Sequence, residues 1–304
     1  MPHPPAAAGP SNPLAALDRV RGLVGDTVRR ILTAGSGEYP EFPIARPEDP
    51  GLFGPDSVTW RVHSGRSMLV GGLRALLVQS LHPLAMAGVA EHSSYRTDPL
   101  GRLARTGRYV ATTTYGTTAA AERAIAGVRA VHGRVRGVAD DGRPYDARDP
   151  ALLSWVHNVE VESFLVAYRT YGGGLTDADA DRYVREMRVL GLRLGADDLP
   201  VSAPGLHEWI ASHREVRASA AAHDAVRFLM LPPLPVAILP TYGVIAAGAV
   251  ELLSLRQRLL LRLPSVPGVE TLAVRPATGA LLALVGWALG PPPPVAAWRA
   301  GADG

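Results

Sequence analysis

Nine histidines occur in the chain, and one of them stands where an aliphatic residue is expected. In the segment 118–136, Ala121, Ile125, Val128, His132 and Val135 recur at alternating spacings of four and three, which is one continuous helical stripe. An imidazole on such a core face costs about 1–3 kcal/mol if nothing satisfies its nitrogens. Two readings are open. His132 is either a core histidine bonded to a backbone carbonyl or an axial ligand to haem iron, because a b-type haem takes a lone imidazole in an apolar pocket. Arg129 lies one turn before His132, and Arg136 is expected one turn after it on the same face.

A second cluster is Arg102, Arg105 and Thr106 in GRLARTGRYV, spaced by three and four so that the three share a helical face. Leu100, Leu103, Gly107 and Val110 read as the apolar stripe beside it. Arginines next to such a stripe commonly lay their stems on it and reach water. Alternatively they face an anionic or oxygenated ligand. A guanidinium binds a carboxylate through two parallel hydrogen bonds, and a charged donor stabilises developing negative charge.

His157 lies among Trp155, Val156, Val159 and Phe164, so it reads as a hydrogen-bonded core histidine, as a pocket-lining residue or as a reserve iron ligand. His157 and Glu160 form one reversed metal-like pair. A helical di-iron site needs Glu-x-x-His twice plus further glutamates, so di-iron chemistry is set aside. His82 precedes Pro83, which removes a helical hydrogen bond and kinks the chain, and His82 is read as structural. His207, His213 and His223 stand among polar neighbours and read as solvated, and His3 lies in the N-terminal tail. The nucleotide-binding glycine motifs, HExxH and the GxSxG elbow are all absent.

Composition narrows the chemistry further. With no cysteine, thiolate nucleophiles, disulfides, Cys-bound zinc, iron–sulfur clusters and covalent c-type haem are excluded. All 31 basic residues are arginines, so no lysine can form a Schiff base or ligate a metal. The net charge of +3 comes without a run of five basic residues, which does not favour nucleic acid. Charged residues make up 19% of the chain, below a usual share of about 25%, and hydrophobic residues 47%, so a large core is expected. The N-terminal MPHPPAAAGPSNP lacks a basic region followed by an apolar run, does not read as a signal peptide, and leaves a cytoplasmic location as the expectation. Segments 67–90, 228–250 and 276–298 are apolar but are interrupted by prolines or polar groups. A span needs about 20 continuous apolar residues, so these read as core helices and membrane association is not favoured.

The elements that must position these residues are helical. Periodicity predicts helices over 14–33, 66–90, 99–114, 118–136, 150–171, 176–194, 205–228, 239–262 and 278–289. Thr118 and Thr176 read as N-caps. Asp149-Pro150 opens a helix with proline at its first position, and Gly172 to Gly174 end it. Residues 35–58 read as an extended surface loop, 268–275 has no clear periodicity, and no sustained alternation predicts an extensive sheet.

Five segments carry a family resemblance: WRVHS at 60–64, GGLRALLVQSLHPLAMAGVAEHS at 71–93, DPLGRLARTGRYV at 98–110, AERAIAGVRAVHGRVRG at 121–137 and WVHNVEVESFLVAYRTYG at 155–172. In order and spacing they resemble the oxygenase family of the mpaB proteins and the rubber oxygenase (latex clearing protein) catalytic domain. The resemblance implies a globin-like helical fold, haem b, and oxidative cleavage of a carbon–carbon double bond by dioxygen. The family's distal helix, reading Lys-Thr-x-Arg-aromatic-Val, resembles Arg105 to Val110, and an arginine three positions before that lysine matches Arg102. The family's proximal histidine, in a His-x-x-Val-Arg setting, resembles His132 to Arg136. This chain departs from the pattern in placing Arg105 where the distal lysine stands. Arginine hardly deprotonates, so an open or water-filled sixth iron position is expected. Arg66 stands where relatives often carry proline. The motifs do not place the family's pocket glutamate, and Glu91, the one carboxylate between residues 57 and 97, is the candidate base.

The expectation is therefore an all-α, single globin-like multi-helix domain with an internal apolar pocket. Residues 1–57 would form a tail, first helix and loop, residues 58–290 the oxygenase-like domain, and residues 291–304 a disordered tail. The expected function is a haem-b-dependent oxygenase acting with dioxygen on an apolar small molecule, an unsaturated one included. His132 would be the proximal ligand, Arg105, Thr106 and Arg102 catalytic, and Arg102 and Arg136 cofactor-binding. The alternatives are a haem-free helical ligand-binding or scaffold protein of the same fold, or a haem enzyme of another type.

Overall fold

A computed structural model describes residues 18–19, 21–23, 25–26, 41–266 and 268–302. The tail 1–13 with His3, most of the expected helix 14–33 and the start of the expected loop lie outside the described residues. In chain order the helices are α1 (Val58–His63), α2 (Met68–Gln79), α3 (Pro83–His92), α4 (Pro99–Tyr115) and α5 (Thr118–His132). A short antiparallel ribbon follows, β1 (Arg136–Val138) with β2 (Pro144–Asp146). Then come α6 (Pro150–Tyr171), α7 (Asp177–Leu194), α8 (Ala203–Ala211), α9 (Ala220–Met230), α10 (Leu239–Glu251) and α11 (Leu255–Leu261). A π-helical turn (Glu270–Val274) leads into α12 (Arg275–Leu289), and α13 (Pro293–Ala302) ends the described chain.

The core is built around α6. Asp149 accepts from the Ala151 N–H at 2.9 Å, and Pro150 supplies a first position that needs no donor. The helix is apolar on nearly every side, as a helix buried on most faces must be, and most residues between Leu152 and Tyr168 are buried, Val156, Glu160 and Val166 excepted. It packs on α2, α7 and α8. Its one deeply buried ion pair crosses to α2. Arg74, 3% exposed, donates to Glu162 Oε2 at 2.8 Å, to Ser163 Oγ at 2.7 Å and to the Leu252 carbonyl at 3.1 Å. His207 Nδ1 lies 2.8 Å from the other Glu162 oxygen. One buried arginine thus links α2, α6 and the end of α10, and its carboxylate partner reaches α8.

Several boundaries differ from the periodicity. The helix expected over 66–90 is two helices bent by 107°. Pro83 opens the second, and the His82 ring caps it by accepting from Ala85 N–H at 3.4 Å. The helix expected over 118–136 stops at His132, with Gly133 at its C-cap, and Arg136 opens β1 in register with Asp146. Arg136 is therefore exposed on a strand and does not share a helical face with His132. The N-cap of α5 is Thr117, whose side chain accepts from Ala120 N–H, while Thr118 bonds to Asp49. The helices expected over 205–228 and 239–262 are each interrupted, between α8 and α9 and between α10 and α11.

Segment 268–275 joins α12 through the π turn. Glu270–Leu289 is the one continuous helix among the described residues long and apolar enough to cross a membrane, and most of it is exposed, so the core-helix expectation for 276–298 does not hold. The cause is its packing: α12 buries only Thr278, Leu282 and Val285. The tail after Gly290, expected to be disordered, carries α13, whose Trp298 ring lies 5.8 Å from that of Trp60.

Candidate functional site

The α4–α5 hairpin presents the residues singled out by spacing. Its turn is clamped by the loop before α1. Ala45 N–H donates to the Tyr115 carbonyl at 2.7 Å, Thr117 N–H to Pro43 at 2.9 Å, and the Asp49 carboxylate accepts from Thr118 N–H at 3.0 Å. Gly51 sits at φ +73°, and a Cβ there would lie 2.2 Å from the Gly116 carbonyl oxygen, so this close approach needs glycine. The two helices are joined through Gly116 and Thr117 and pack together. At 1.5 Å per residue, Arg102 on α4 and His132 on α5 both lie roughly 20 Å from that turn.

The inward face of α4 is polar. Arg102, Thr106, Tyr109 and Thr113, spaced four, three and four, are half-buried or buried. Leu103, expected on an apolar stripe, is 48% exposed, and Gly107 is also exposed. Arg102 Nε donates to Ser93 Oγ at 3.2 Å and its NH1 to Thr106 Oγ1, which also donates to the Arg102 carbonyl at 3.0 Å. Burial lowers the Arg102 pKa, the neighbouring Arg105 charge adds to that effect, and Glu160 opposes it. Arg102 and Thr106 thus come together, but Arg105 does not join them. It is exposed, donating to Asp98 Oδ2 at 3.0 Å and to Ser94 Oγ at 2.8 Å.

On α5 the stripe falls where the spacing put it as far as His132: Ala121 and Ile125 are buried, and Val128 and His132 are half-buried, while Val135 lies beyond the helix end. Burial lowers the His132 pKa, which favours the neutral ring, and no hydrogen bond to the ring is present among the described residues. Arg129 donates to the Arg193 carbonyl at 3.3 Å instead of approaching His132.

His157 behaves differently. It is 7% exposed, burial holds its pKa at about 4, and it bonds to the Met187 backbone. Its ring lies against Gly191 of α7. A Cβ on Gly191 would fall 2.9 Å from His157 Nε2 and 2.8 Å from Leu199 Cδ1. His157 is therefore a satisfied core histidine that fixes the α6–α7 contact. Gly191→Ala should cost about 1–3 kcal/mol of overpacking. Urea unfolding of the two proteins checks this, and equal midpoints and slopes would contradict it.

Glu160 of α6 acts electrostatically on Arg102 and Tyr109 of the polar face of α4. Glu160 projects from α6, and burial raises its pKa to about 7 against the opposing pull of Arg102. No hydrogen-bond donor reaches its carboxylate among the described residues. The Tyr109 hydroxyl is buried without a partner, and the Glu160 charge raises its pKa further. The same carboxylate acts on Tyr183 of α7. The Tyr183 hydroxyl lies 3.1 Å from His63 Nε2, and His63 Nδ1 lies 2.7 Å from Thr114 Oγ1. Burial holds the His63 pKa at about 3. Among the described residues the hairpin makes little close backbone approach to α6, and Arg102 and Tyr109 are related to Glu160 through its charge.

Glu91, the expected base, is exposed and takes the Tyr145 hydroxyl proton in a hydrogen bond, with His92 Nε2 3.1 Å from the same hydroxyl. It belongs to the ribbon side of α3 and not to the α4–α6 interval. His213 is not simply solvated, since its ring stacks 4.8 Å from Trp155 and 4.6 Å from Trp209. His223 Nε2 lies 2.9 Å from the Leu260 carbonyl oxygen. Among the described residues no group of three or more His, Cys, Asp or Glu could hold a bare metal ion.

A family model described as "ER-bound oxygenase mpaB/B'/Rubber oxygenase, catalytic domain" matches residues 60–291. No curated protein matches. No solved structure matches either.

Proposed function

The chain belongs to the family of mpaB and rubber oxygenase catalytic domains, and from that premise we propose a haem-b-dependent oxygenase acting on an apolar small molecule, with His132 as the proximal iron ligand. The observation that carries the reading is the state of that imidazole. It is half-buried on the inward stripe, burial lowers its pKa and so favours the neutral form, and it makes no side-chain hydrogen bond among the described residues. A metal ligand must be deprotonated and free to donate a lone pair, and His132 meets both conditions where His157, held by Met187, does not.

The surroundings support a cofactor of that kind. His63 and Glu160 are strongly desolvated yet keep some accessible surface, the combination expected of side chains lining an enclosed space. A globin-like enclosure would lie between the α4–α5 hairpin and α6, where the half-buried Val128 would offer apolar contact and Arg102 a charged donor held by Ser93 and Thr106. When bound, haem would supply the binding and activation of dioxygen.

The chain's own residues supply the rest. Arg102, pre-set by two hydroxyls, favours a propionate carboxylate or negative charge developing beside it. Thr106 keeps that guanidinium from swinging outward as Arg105 does. Glu160, whose pKa of about 7 leaves it divided between acid and carboxylate at neutral pH, can hold a proton at its Oε atoms or accept one.

Dioxygen uptake by the hemin-loaded protein, measured with a panel of apolar alkenes, tests the reading. Uptake should depend on the alkene and yield oxygenated product, and Arg102→Leu should lower turnover by about 10²-fold, as removal of a preset donor does. Ligand binding without dioxygen uptake would contradict an oxygenase and favour a binding protein of the same fold.

A further inference from the structure

Three runs without charge, 228–250, 263–269 and 276–298, lie in the last part of the chain. Packing does not hide them. Val236, Leu239, Val266, Val269 and Leu272 are exposed, Val236 and Leu272 at 82% each. Scattered exposed aliphatics need no explanation, but a gathered patch marks an interaction surface. The fold gathers these. An apolar groove of about 350 Å³, lined by Pro240, Gly243, Ala247, Ala273 and Ala277, runs between α10 and the helix 270–289. It sets the start of α10, with Val236 and Leu239, beside the π turn that holds Leu272, and Val266 and Val269 lead into that turn. The helix 270–289 is fastened to the body on its other side. Thr278 Oγ1 donates to the Val244 carbonyl at 3.3 Å, a Cβ on Gly248 would lie 2.8 Å from Thr278 Cγ2, and Arg275 pairs with the buried Glu251. Pro276, Ala280 and Ala283, spaced four and three, are exposed on it. Such a helix lies along a surface instead of crossing a membrane.

The charge around this patch has one sign. Residues 225–302 carry six arginines and two glutamates, and both glutamates are taken, Glu251 by Arg275 and Glu270 by Arg258. An arginine stands directly before each uncharged run, Arg227, Arg262 and Arg275 in turn. Arg227, Arg256 and Arg262 are exposed and have no carboxylate partner among the described residues, Arg256 donating only to the Ala211 and Val216 carbonyls. A second copy of the chain would bring the same positive charge to the contact, which opposes self-association through this face. We propose that the face docks flat on an anionic lipid bilayer. Val236, Leu239, Val269 and Leu272 enter the acyl boundary, and the arginines lay their stems on the apolar surface and hold their guanidiniums at the lipid phosphates. The docking uses neither His132 nor Arg102, so it stands or falls apart from the haem reading.

Co-sedimentation of the full chain with extruded vesicles tests the face, using phosphatidylcholine alone and phosphatidylcholine with about 30% phosphatidylglycerol. The anionic vesicles should bind at least about tenfold tighter than the neutral ones. Salt at about 1 M, where the screening length falls to about 3 Å, should weaken that binding by a similar factor. The double variant Val236→Glu, Leu272→Glu should lose binding at least about tenfold, with an unchanged urea midpoint because both side chains already face water. Leu192→Glu, at an exposed leucine of α7, should bind as the native chain does. Arg227→Gln with Arg262→Gln should lower affinity for the anionic vesicles at least about tenfold. No vesicle binding, equal binding to both lipid compositions, binding indifferent to salt, or a folded Val236→Glu, Leu272→Glu protein that binds as tightly as the native chain would each overturn the proposal. A stable dimer that this double variant abolishes, without vesicle binding, would give the face to a second copy instead.

Discussion

Arg74→Leu is expected to cost about 3–5 kcal/mol of folding stability, the loss typical when one partner of a buried ion pair is removed. The substitution leaves Glu162, with its side chain 4% exposed, holding charge in the core with His207 as its remaining partner. It also strips donors from Ser163 and from the Leu252 carbonyl. Removing both charges together should cost far less, because well-packed apolar residues often replace a buried pair with little loss. Urea denaturation of Arg74→Leu and of the double variant Arg74→Leu with Glu162→Leu separates the two effects. A single variant within about 1 kcal/mol of the native protein would mean that the pair is open to water.

Glu160→Gln is expected to stabilise the fold at alkaline pH and not at acid pH. The native carboxyl has a pKa raised from 4.5 to about 7 by burial. In the unfolded chain it ionises near its ordinary value, so between those two pH values the unfolded state has released a proton that the folded state still holds. Stability contributed by the neutral form is therefore fully present below about pH 4.5 and is lost as pH rises through 7. The loss is on the order of 3 kcal/mol for a shift of this size. Glutamine has no such proton to release. Relative to the native protein, the variant should gain stability by that order between pH 4 and pH 8, read from denaturant midpoints of the haem-free proteins. A pH-independent difference would mean that the carboxyl is solvated.

The long-period features were legible in the sequence because they rest on local rules. The α5 stripe through His132, the Asp149-Pro150 start of α6, the Thr176 cap of α7 and the bend at Pro83 all follow from side-chain periodicity or from what proline and caps do to backbone hydrogen bonds. The helix ends were less legible. Nothing periodic distinguishes His132 as a last helical residue from Arg136 as a strand residue, since the ribbon is fixed by pairing with Pro144–Asp146. Arg105 and Arg102 look equivalent in spacing, and what separates them is whether Asp98 or Thr106 lies within reach.

Glu160 was present as one carboxylate in an apolar run, and the four-three-four series of Arg102, Thr106, Tyr109 and Thr113 was there to be counted. The influence of the Glu160 charge on Arg102 and Tyr109 depends on how α4 and α6 are set in space, which a linear pattern does not carry. For the same reason Glu91 looked like the better base, although it lies on the exposed side of α3.

The account's central claim is that His132 carries haem iron. The absorbance spectrum of the purified protein after hemin titration, recorded alongside His132→Ala and His157→Ala, tests it most directly. The account predicts a Soret band that saturates at stoichiometric hemin in the native chain, persists in folded His157→Ala and is lost in folded His132→Ala. A native protein that leaves hemin free, or a band that survives without His132 and disappears without His157, would contradict it.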